Sequence, residues 1–261
     1  MRLYSLRRVR DERYIRKMQQ VHVGLSGYSY KPWQGEGRFY PAELKQKEFL
    51  KFYSGRYDTV EMDGTWYRMP SEEAVQAWLE GSPEDFSFSF KAHRTITHVR
   101  RLKPEVQESL EFMLKRLSPI LKAGKMSALL VQLPPNLKRD DERLAAFFEN
   151  AMKAVDGLPV RYAIEFRHES WNAPEVETIL REHSVAWVAA ETDETPAQKR
   201  DTADFVYARL RKSEYSGEDL QAWAEYFLTT KKDCFVYCKH EDEGSPWVWA
   251  DELNKLVRRQ R

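Results

Sequence analysis

The chain has 261 residues, of which 42% are hydrophobic and 32% charged, and its 42 basic and 41 acidic residues give a net charge of +1. This near-neutral balance provides no whole-molecule attraction to nucleic acid or to anionic membranes. No apolar run approaches the roughly 20 residues that a membrane-spanning helix requires, and the basic residues 1–20 lack the apolar core of a secretory signal. We therefore expect a cytoplasmic protein without a membrane partner, with residues 1–20 forming a basic N-terminal arm or helix.

The rest of the chain alternates short apolar strands with amphipathic helices. The pattern predicts eight strands, over residues 21–25, 58–62, 86–90, 127–133, 160–165, 185–190, 205–210 and 234–238. It predicts helices over residues 43–53, 71–80, 105–121, 140–155, 174–183, 217–229 and 247–258. The polar segment 191–203 shows no helical pattern.

Alternation of strands and helices implies parallel strands joined by right-handed crossovers. Eight such units in about 240 residues fit a closed barrel better than an open sheet. We therefore predict an α/β fold, a single (β/α)8 TIM-type barrel over residues 21–261 that is irregular after the sixth strand. An open doubly wound sheet is the alternative, but no GxGxxG follows the first strand, so dinucleotide binding has no support.

Polar side chains follow nearly every predicted strand, and in a barrel these C-terminal strand ends meet at one face. In chain order they are Ser26, Tyr28, Glu61, Asp63, Tyr67, Lys91, His93, Gln132, Glu165, Arg167, His168, Glu191, Asp193, Arg209, Arg211, Lys239, His240 and Glu241. A buried strand that becomes polar at its C-terminal end is how an α/β protein presents a site. This face is therefore the predicted site.

The end of the fifth strand is the most informative, because Glu165 and Arg167 lie two residues apart and share a face. Glu165 is a candidate general base and Arg167 a candidate clamp for a carboxylate or phosphate, while a structural ion pair is the alternative. Lys91 is interpreted as an anion anchor in preference to a Schiff-base nucleophile. Glu61 and Asp63 offer paired carboxylates, although loop hydrogen bonding would also explain Asp63.

Seven stretches between Val21 and Val257 occur in a recognisable order and spacing. They are Gly24-Leu25-Ser26-Gly27-Tyr28-Ser29-Tyr30, Phe39-Tyr40-Pro41, Val60-Glu61-Met62-Asp63-Gly64-Thr65-Trp66-Tyr67, Phe90-Lys91-Ala92 with Ile96-Thr97-His98, Gln132-Leu133-Pro134-Pro135, Glu165-Phe166-Arg167-His168 with Ser170-Trp171, and Phe205-Val206-Tyr207-Ala208-Arg209-Leu210. Together they resemble the DUF72 (YecE-like) family, and the resemblance implies a TIM-type barrel without implying an activity. Tyr28, Arg211-Lys212 and Lys239-His240-Glu241 depart from the Trp, His-Gly and Asn-rich patterns common in that family.

The leading hypothesis is a barrel enzyme that acts on a small anionic or phosphorylated substrate by acid–base or hydrolytic chemistry. Glu165 would be the base and Glu61 its acid–base partner. The predicted substrate-binding residues are Ser26, Tyr28, Asp63, Tyr67, Lys91, His93, Gln132, Arg167, His168, Trp171 and Arg209. No motif implies a cofactor, and nothing in the sequence indicates an oligomeric state.

Two alternatives remain open at this point. The first is a metal-dependent hydrolase or nuclease with Glu61, Glu165, Glu191 and His240 among its ligands. The second is a non-catalytic protein that binds a metabolite or single-stranded nucleic acid, whose bases would stack on the aromatic residues of the rim. The near-neutral net charge disfavours nucleic acid as the partner.

Overall fold

The computed structural model describes residues 19–152, 159–239 and 245–259. Within these ranges nine parallel strands form one sheet. They are β1 (Val21–Ser26), β2 (Thr59–Met62), β3 (Ser87–Lys91), β4 (Met126–Gln132), β5 (Tyr162–Glu165), β6 (Ala186–Trp187), β7 (Ala189–Glu191), β8 (Phe205–Leu210) and β9 (Asp233–Cys238). The order in the sheet is β6-β5-β4-β3-β2-β1-β9-β8-β7, so the pairing of β1 with β9 joins the first strand to the last.

The two ends of the sheet meet at the predicted sixth strand, which is interrupted at Val188. Its first piece, β6, pairs with β5, and its second piece, β7, pairs with β8. At the interruption the backbone N–H of Val188 donates to the carbonyl of Ile164 at 2.9 Å. Because both ends of the sheet belong to one stretch of chain, the strands form a nearly closed barrel. The predicted TIM-type α/β barrel is confirmed.

Seven α-helices connect or follow these strands in the described ranges. They are α1 (Phe49–Ser54), α2 (Glu72–Glu80), α3 (Gln107–Lys122), α4 (Asp141–Ala151), α5 (Pro174–Glu182), α6 (Gly217–Thr229) and α7 (Pro246–Arg259). Residues 192–204, between β7 and β8, contain no helix, as the sequence predicts for the segment after the sixth strand. Residues 1–18 of the predicted basic arm and Val155, the predicted end of the fourth helix, lie outside the described residues.

Three helices begin where the sequence supplies a capping side chain. Ser71 accepts from the backbone N–H of Ala74 at 3.2 Å, and Asp140 accepts from that of Arg143 at 3.0 Å. At α6 a capping box joins Ser216 to Asp219. Each cap satisfies an N–H group that the first helical turn leaves without a partner, so these starts can be predicted from sequence.

Alternation along the strands separates an outer apolar layer from the barrel interior. Around β3, Phe88 and Phe90 pack outward with the helices, while Ser89 accepts a hydrogen bond from Tyr237 inside the barrel at 2.8 Å. A separate interior cluster consists of small, branched and aromatic side chains: Ala128, Leu130, Ala163, Ala186, Val188, Phe205, Tyr207, Phe235 and Tyr237. The lower barrel is therefore a packed core, which confines polar chemistry to the C-terminal strand ends.

Gly24 on β1 provides a test of this interior packing. A Cβ atom at Gly24 would lie 2.1 Å from the carbonyl oxygen of Thr59 on the neighbouring strand. We expect Gly24→Ala to lower the free energy of unfolding by about 1–3 kcal/mol or more, because the strand backbone must shift. Urea unfolding measures the loss. Gly217→Ala is the matched control, since nothing lies within 4 Å of the added carbon; equal losses in both variants would contradict the packing argument.

Candidate functional site

The C-terminal mouth of the barrel is organised around Arg209 at the end of β8. Its Nη2 lies 2.9 Å from Oε1 of Glu61 on β2, and its Nη1 lies 2.5 Å from Oε2 of Glu165 on β5. All three side chains are buried, with relative exposures of 1%, 0% and 2%. The arginine therefore bridges two carboxylates across the barrel interior, since neither β2 nor β5 is a sheet neighbour of β8.

Other inward-facing groups complete the hydrogen bonding of the two carboxylates. Ser26 and Tyr207 both donate to Glu61, the latter at 2.7 Å. On the other side Gln132 donates to Oε1 of Glu165 at 2.8 Å, and Nε of Arg167 donates to the same oxygen at 3.1 Å. A buried charge is tolerated when it is paired and hydrogen-bonded in this way. We refer to Ser26, Glu61, Gln132, Glu165, Arg167, Tyr207 and Arg209 as the mouth network.

The charges of the mouth network hold its carboxylates ionised. Burial opposes ionisation of Glu165, but Arg209, Arg167 and Arg211 outweigh it and hold its pKa well below the ordinary value. Burial likewise opposes ionisation of Glu61, and Arg209 with hydrogen bonds from Ser26 and Tyr207 lowers its pKa. A carboxylate with a lowered pKa accepts a proton poorly at neutral pH. This property fits Glu165 as an orienting anion better than as a general base.

A second set of cationic side chains surrounds the mouth network. Burial and the neighbouring Arg209 lower the pKa of Lys91 to about 7 and also lower the pKa of Lys239. Burial, with Arg209, lowers the pKa of Arg211 to about 10, and its Nη1 lies 3.7 Å from Glu165. Burial is the largest cause of each shift and Arg209 adds to it, so Lys91, Arg211 and Lys239 lie in a partly desolvated part of the mouth that is rich in cations.

A cavity of about 510 Å³ opens beside the network, between the ends of β5 and β7. Glu165, Arg167 and Arg211 lie on its polar side, while Trp171 and Trp187 belong to its apolar wall. The volume lies in the range of small-molecule sites, and an apolar wall with a few convergent polar groups is their usual composition. The predicted site residues Glu165, Arg167, His168 and Trp171 all line this cavity.

Trp171 and His168 are fixed by the loop after β5. The indole Nε1 of Trp171 donates to the carbonyl of Leu137 at 2.7 Å, and its ring stacks on Phe166 with centroids 4.8 Å apart. The Nδ1 atom of His168 accepts from the backbone N–H of Ser170 at 3.1 Å. Both residues therefore present a rigid edge to the cavity.

Asp63 lies near the mouth, while three other predicted substrate-binding residues make contacts with residues outside the mouth network. Asp63 accepts from Tyr30 and lies 3.6 Å from Nζ of Lys239. Tyr28 packs against Tyr53 in the outer layer, with centroids 6.2 Å apart. Of the other two, Tyr67 is 70% exposed beside Trp66, and His93 accepts from the backbone N–H of Thr95 at 3.3 Å.

The residues predicted for a metal site are not brought together in the described part of the chain. Glu191 faces outward, where it accepts from Nε1 of Trp223 on α6 at 2.7 Å. His240 and the acidic run that follows it lie outside the described residues. Among residues 19–152, 159–239 and 245–259, no three His, Cys, Asp or Glu side chains form a group that could hold a metal ion.

His98 is a mouth residue that reading the strand ends misses, and it lies beside Trp66, one of the aromatic residues of the predicted rim. The indole of Trp66 lies 5.1 Å from Nζ of Lys91 and donates to Nδ1 of His98 at 3.3 Å. Burial, together with the charges of Lys91 and Arg167, lowers the pKa of His98 to about 4. His98 reaches this position from a π-helical turn over Thr95–Val99, seven residues beyond Lys91 in sequence. Its only sequence signal is the Ile96-Thr97-His98 stretch of the family resemblance.

The fold and the site define an α/β barrel protein with a buried carboxylate–guanidinium–carboxylate network at its mouth. The model of one family, described as "Protein of unknown function DUF72", matches residues 22–261. This chain belongs to the DUF72 family. None of the described helices is long and apolar enough to cross a lipid bilayer.

Two curated relatives carry the name UPF0759. YunF of Bacillus subtilis strain 168 is 26% identical over 179 residues, which cover 67% of this chain and 61% of YunF. YecE of Escherichia coli strain K12 is 29% identical over 155 residues, which cover 59% of this chain and 50% of YecE. The chain thus spans about half to three-fifths of the length of the relatives it matches. Neither name states an activity.

Solved structures of DUF72 family proteins share the barrel. One from Thermotoga maritima is 25% identical with a TM-score of 0.78, covering 92% of this chain and 100% of that chain. Another, from Enterococcus faecalis V583, is 20% identical with a TM-score of 0.73, covering 92% and 98%. These likenesses support the fold and assign no reaction.

Removing the central cation tests the mouth network. We expect Arg209→Met to lower the free energy of unfolding by about 3–5 kcal/mol, because the buried Glu61 would lose its arginine partner and Glu165 would lose the nearest of its three. Urea unfolding measures the loss. Arg116→Met is the control, since its pairing with the exposed Glu72 should contribute about 1 kcal/mol or less. A loss at Arg209 no larger than at Arg116 would show that the network contributes little.

The lowered pKa values of Glu61 and Glu165 predict that the loss of unfolding free energy in Arg209→Met depends on pH. Both pKa values lie below the ordinary value of 4.5. The stabilising contribution of the two ionised carboxylates is therefore complete above about pH 4.5 and is lost as the pH falls further. In Arg209→Met, burial would raise the pKa of Glu61, and the pKa of Glu165 would be lowered less because only Arg167 and Arg211 would remain beside it. The difference in unfolding free energy between wild type and variant should therefore narrow between about pH 5 and pH 3. Urea unfolding across this range checks the sign, and a widening difference would contradict it.

Proposed function

We propose that this DUF72 protein is an enzyme that binds a small anionic or phosphorylated substrate at the barrel mouth and acts on it by acid–base or hydrolytic chemistry. The observation that carries the proposal is the charge balance of the mouth. Five cationic side chains, Lys91, Arg167, Arg209, Arg211 and Lys239, meet three carboxylates, Glu61, Asp63 and Glu165.

The cationic surplus is concentrated beside the cavity. Glu165 accepts from Arg167 and Arg209 and lies 3.7 Å from Arg211, while Glu61 also accepts from Arg209. Because Glu165 cannot balance the charge of both Arg167 and Arg211, which line the cavity, a second anion there would pair with these guanidinium groups. Arg167 is the most accessible of the three, with 32% of its side chain exposed. It is therefore the anion clamp of the proposal.

The reactive group of the proposal is the amine of Lys91 rather than the carboxylate of Glu165. The pKa of Lys91 is lowered to about 7 by burial and by Arg209, so the amine exchanges protons near neutral pH. The pKa of Glu165 lies too low for a base at that pH. Glu165 instead orients Arg167 and Arg211, and Glu61 keeps Arg209 in place.

Titration with inorganic phosphate tests the proposed anion site. We expect phosphate to raise the melting temperature of the protein and to bind with an affinity measurable by isothermal titration calorimetry. Arg167→Ala should weaken binding by about tenfold or more, because it removes a charge-assisted hydrogen bond of roughly 1.5–3 kcal/mol. Arg116→Ala on α3 is the control and should leave the affinity unchanged. If neither phosphate nor small carboxylates such as pyruvate stabilise the wild-type protein, the proposal is wrong.

A further inference from the structure

Lys91 differs from Arg167, Arg209 and Lys239 in that no carboxylate of the described residues lies within 4 Å of its amine, although Glu61 and Glu165 act on it from farther away. Arg167, Arg209 and Lys239 each lie within 4 Å of a carboxylate. Within the described ranges, no side chain forms an ion pair or hydrogen bond with Nζ of Lys91. Nζ of Lys91 lies over the face of Trp66, 5.1 Å from the ring centroid. An aromatic face and partial burial leave the lone pair of a neutral amine available for reaction.

The backbone that carries Lys91 is held in place. Its carbonyl accepts from Oγ1 of Thr65 at 2.6 Å, and the next N–H, of Ala92, donates to Leu130 at 2.8 Å. Lys91 also pairs in register with Leu130 of β4. The reactive group thus starts from a rigid strand end, which favours precise positioning against a substrate.

We propose that Lys91 is a nucleophile that forms an imine with the aldehyde or ketone group of a small substrate that also carries a carboxylate or phosphate. The inference rests on the proposed function, because the anionic group would bind at Arg167 and Arg211 while the carbonyl group faces Lys91. A lysine beside another cation in a desolvated site is a known arrangement for this chemistry.

The step balances without any further reactant. The lone pair of Nζ forms a bond to the carbonyl carbon, and transfer of one amine proton to the oxygen gives a carbinolamine. The hydroxyl group then leaves with the second amine proton as water, and the nitrogen–carbon bond becomes double. No electron is gained or lost overall, so neither an oxidant nor a reductant is needed.

Reductive trapping tests the proposal. Wild-type protein is incubated with glyceraldehyde 3-phosphate or with succinic semialdehyde, a carboxylate whose aldehyde lies at the opposite end, in the presence of cyanoborohydride, which reduces an imine to a stable amine. Uncharged glyceraldehyde is the matched probe without an anion. Peptide mass spectrometry then compares Lys91 with Lys255, which is 59% exposed on α7. We expect modification of Lys91 to exceed that of Lys255 about tenfold or more with the phosphate or the carboxylate probe, and to fall with glyceraldehyde.

The pH dependence of trapping separates Lys91 from an ordinary surface amine. The charged or titratable groups around Lys91 are Glu61 on β2, Glu165 on β5, Arg209 on β8, Lys239 after β9 and His98 in the turn after β3. Because their net effect and burial lower the pKa of Lys91 to about 7, its labelling rate should level off above that pH. An exposed amine should continue to gain reactivity toward about pH 10.

Lys91→Arg keeps the charge and removes the nucleophile, so it should lose the adduct while phosphate still raises its melting temperature. If phosphate stabilises the wild-type protein but Lys91 is labelled no faster than Lys255, the imine proposal is wrong and the anion site stands. If phosphate has no effect and Lys91 is not labelled, both proposals are wrong. The wild-type measurements decide between these outcomes even if the variant fails to fold.

Discussion

The buried guanidinium of Arg209 is the interaction on which the barrel mouth depends. It lies on β8 and reaches Glu61 on β2 and Glu165 on β5, which are separated from it around the barrel. A guanidinium buried alone would be very unfavourable, and the two carboxylates are the counterions that make its burial tolerable. The same contacts tie distant walls of the barrel together at the level where the loops begin. The strand ends are therefore held in one arrangement before any ligand arrives.

The charge that holds the mouth together is also the basis of the proposed anion site. Burial lowers the pKa of Lys91, Lys239 and Arg211, and Arg209 lowers each pKa further although it is itself paired with two carboxylates. Glu165 is shared among several guanidinium groups and cannot neutralise all of them. Stability and the proposed ligand binding thus depend on one set of residues. A substitution there changes both, which is why folding and binding must be measured separately.

Local sequence patterns predict the fold because its buried strands are short apolar runs that alternate with amphipathic helices. The polar residues at the strand ends include Glu61, Glu165 and Arg209, which the structure places inside the barrel. On the sixth strand Val188 faces inward, so alternation of side chains places Glu191, three residues later, on the outer face. There it accepts a hydrogen bond from Nε1 of Trp223. Two features lay beyond local patterns. Gly27, with φ at +91°, redirects the chain so that Tyr28 joins the outer layer, and the π-helical turn carries His98 back to the mouth. Neither change in chain direction produces a periodic pattern in the sequence.

The electrostatics of the mouth constrain where a substrate can place its charge. An anion bound directly beside Lys91 would raise the pKa of that amine and convert it to the unreactive ammonium form. Nucleophilic Lys91 therefore requires the anionic group to bind at a distance, and Arg167 and Arg211 on the cavity side provide such a position. Lys239 cannot take the same role as readily, because Asp63 lies 3.6 Å from its amine and favours its protonated form. A substrate with its carbonyl group at one end and its anionic group at the other satisfies both requirements.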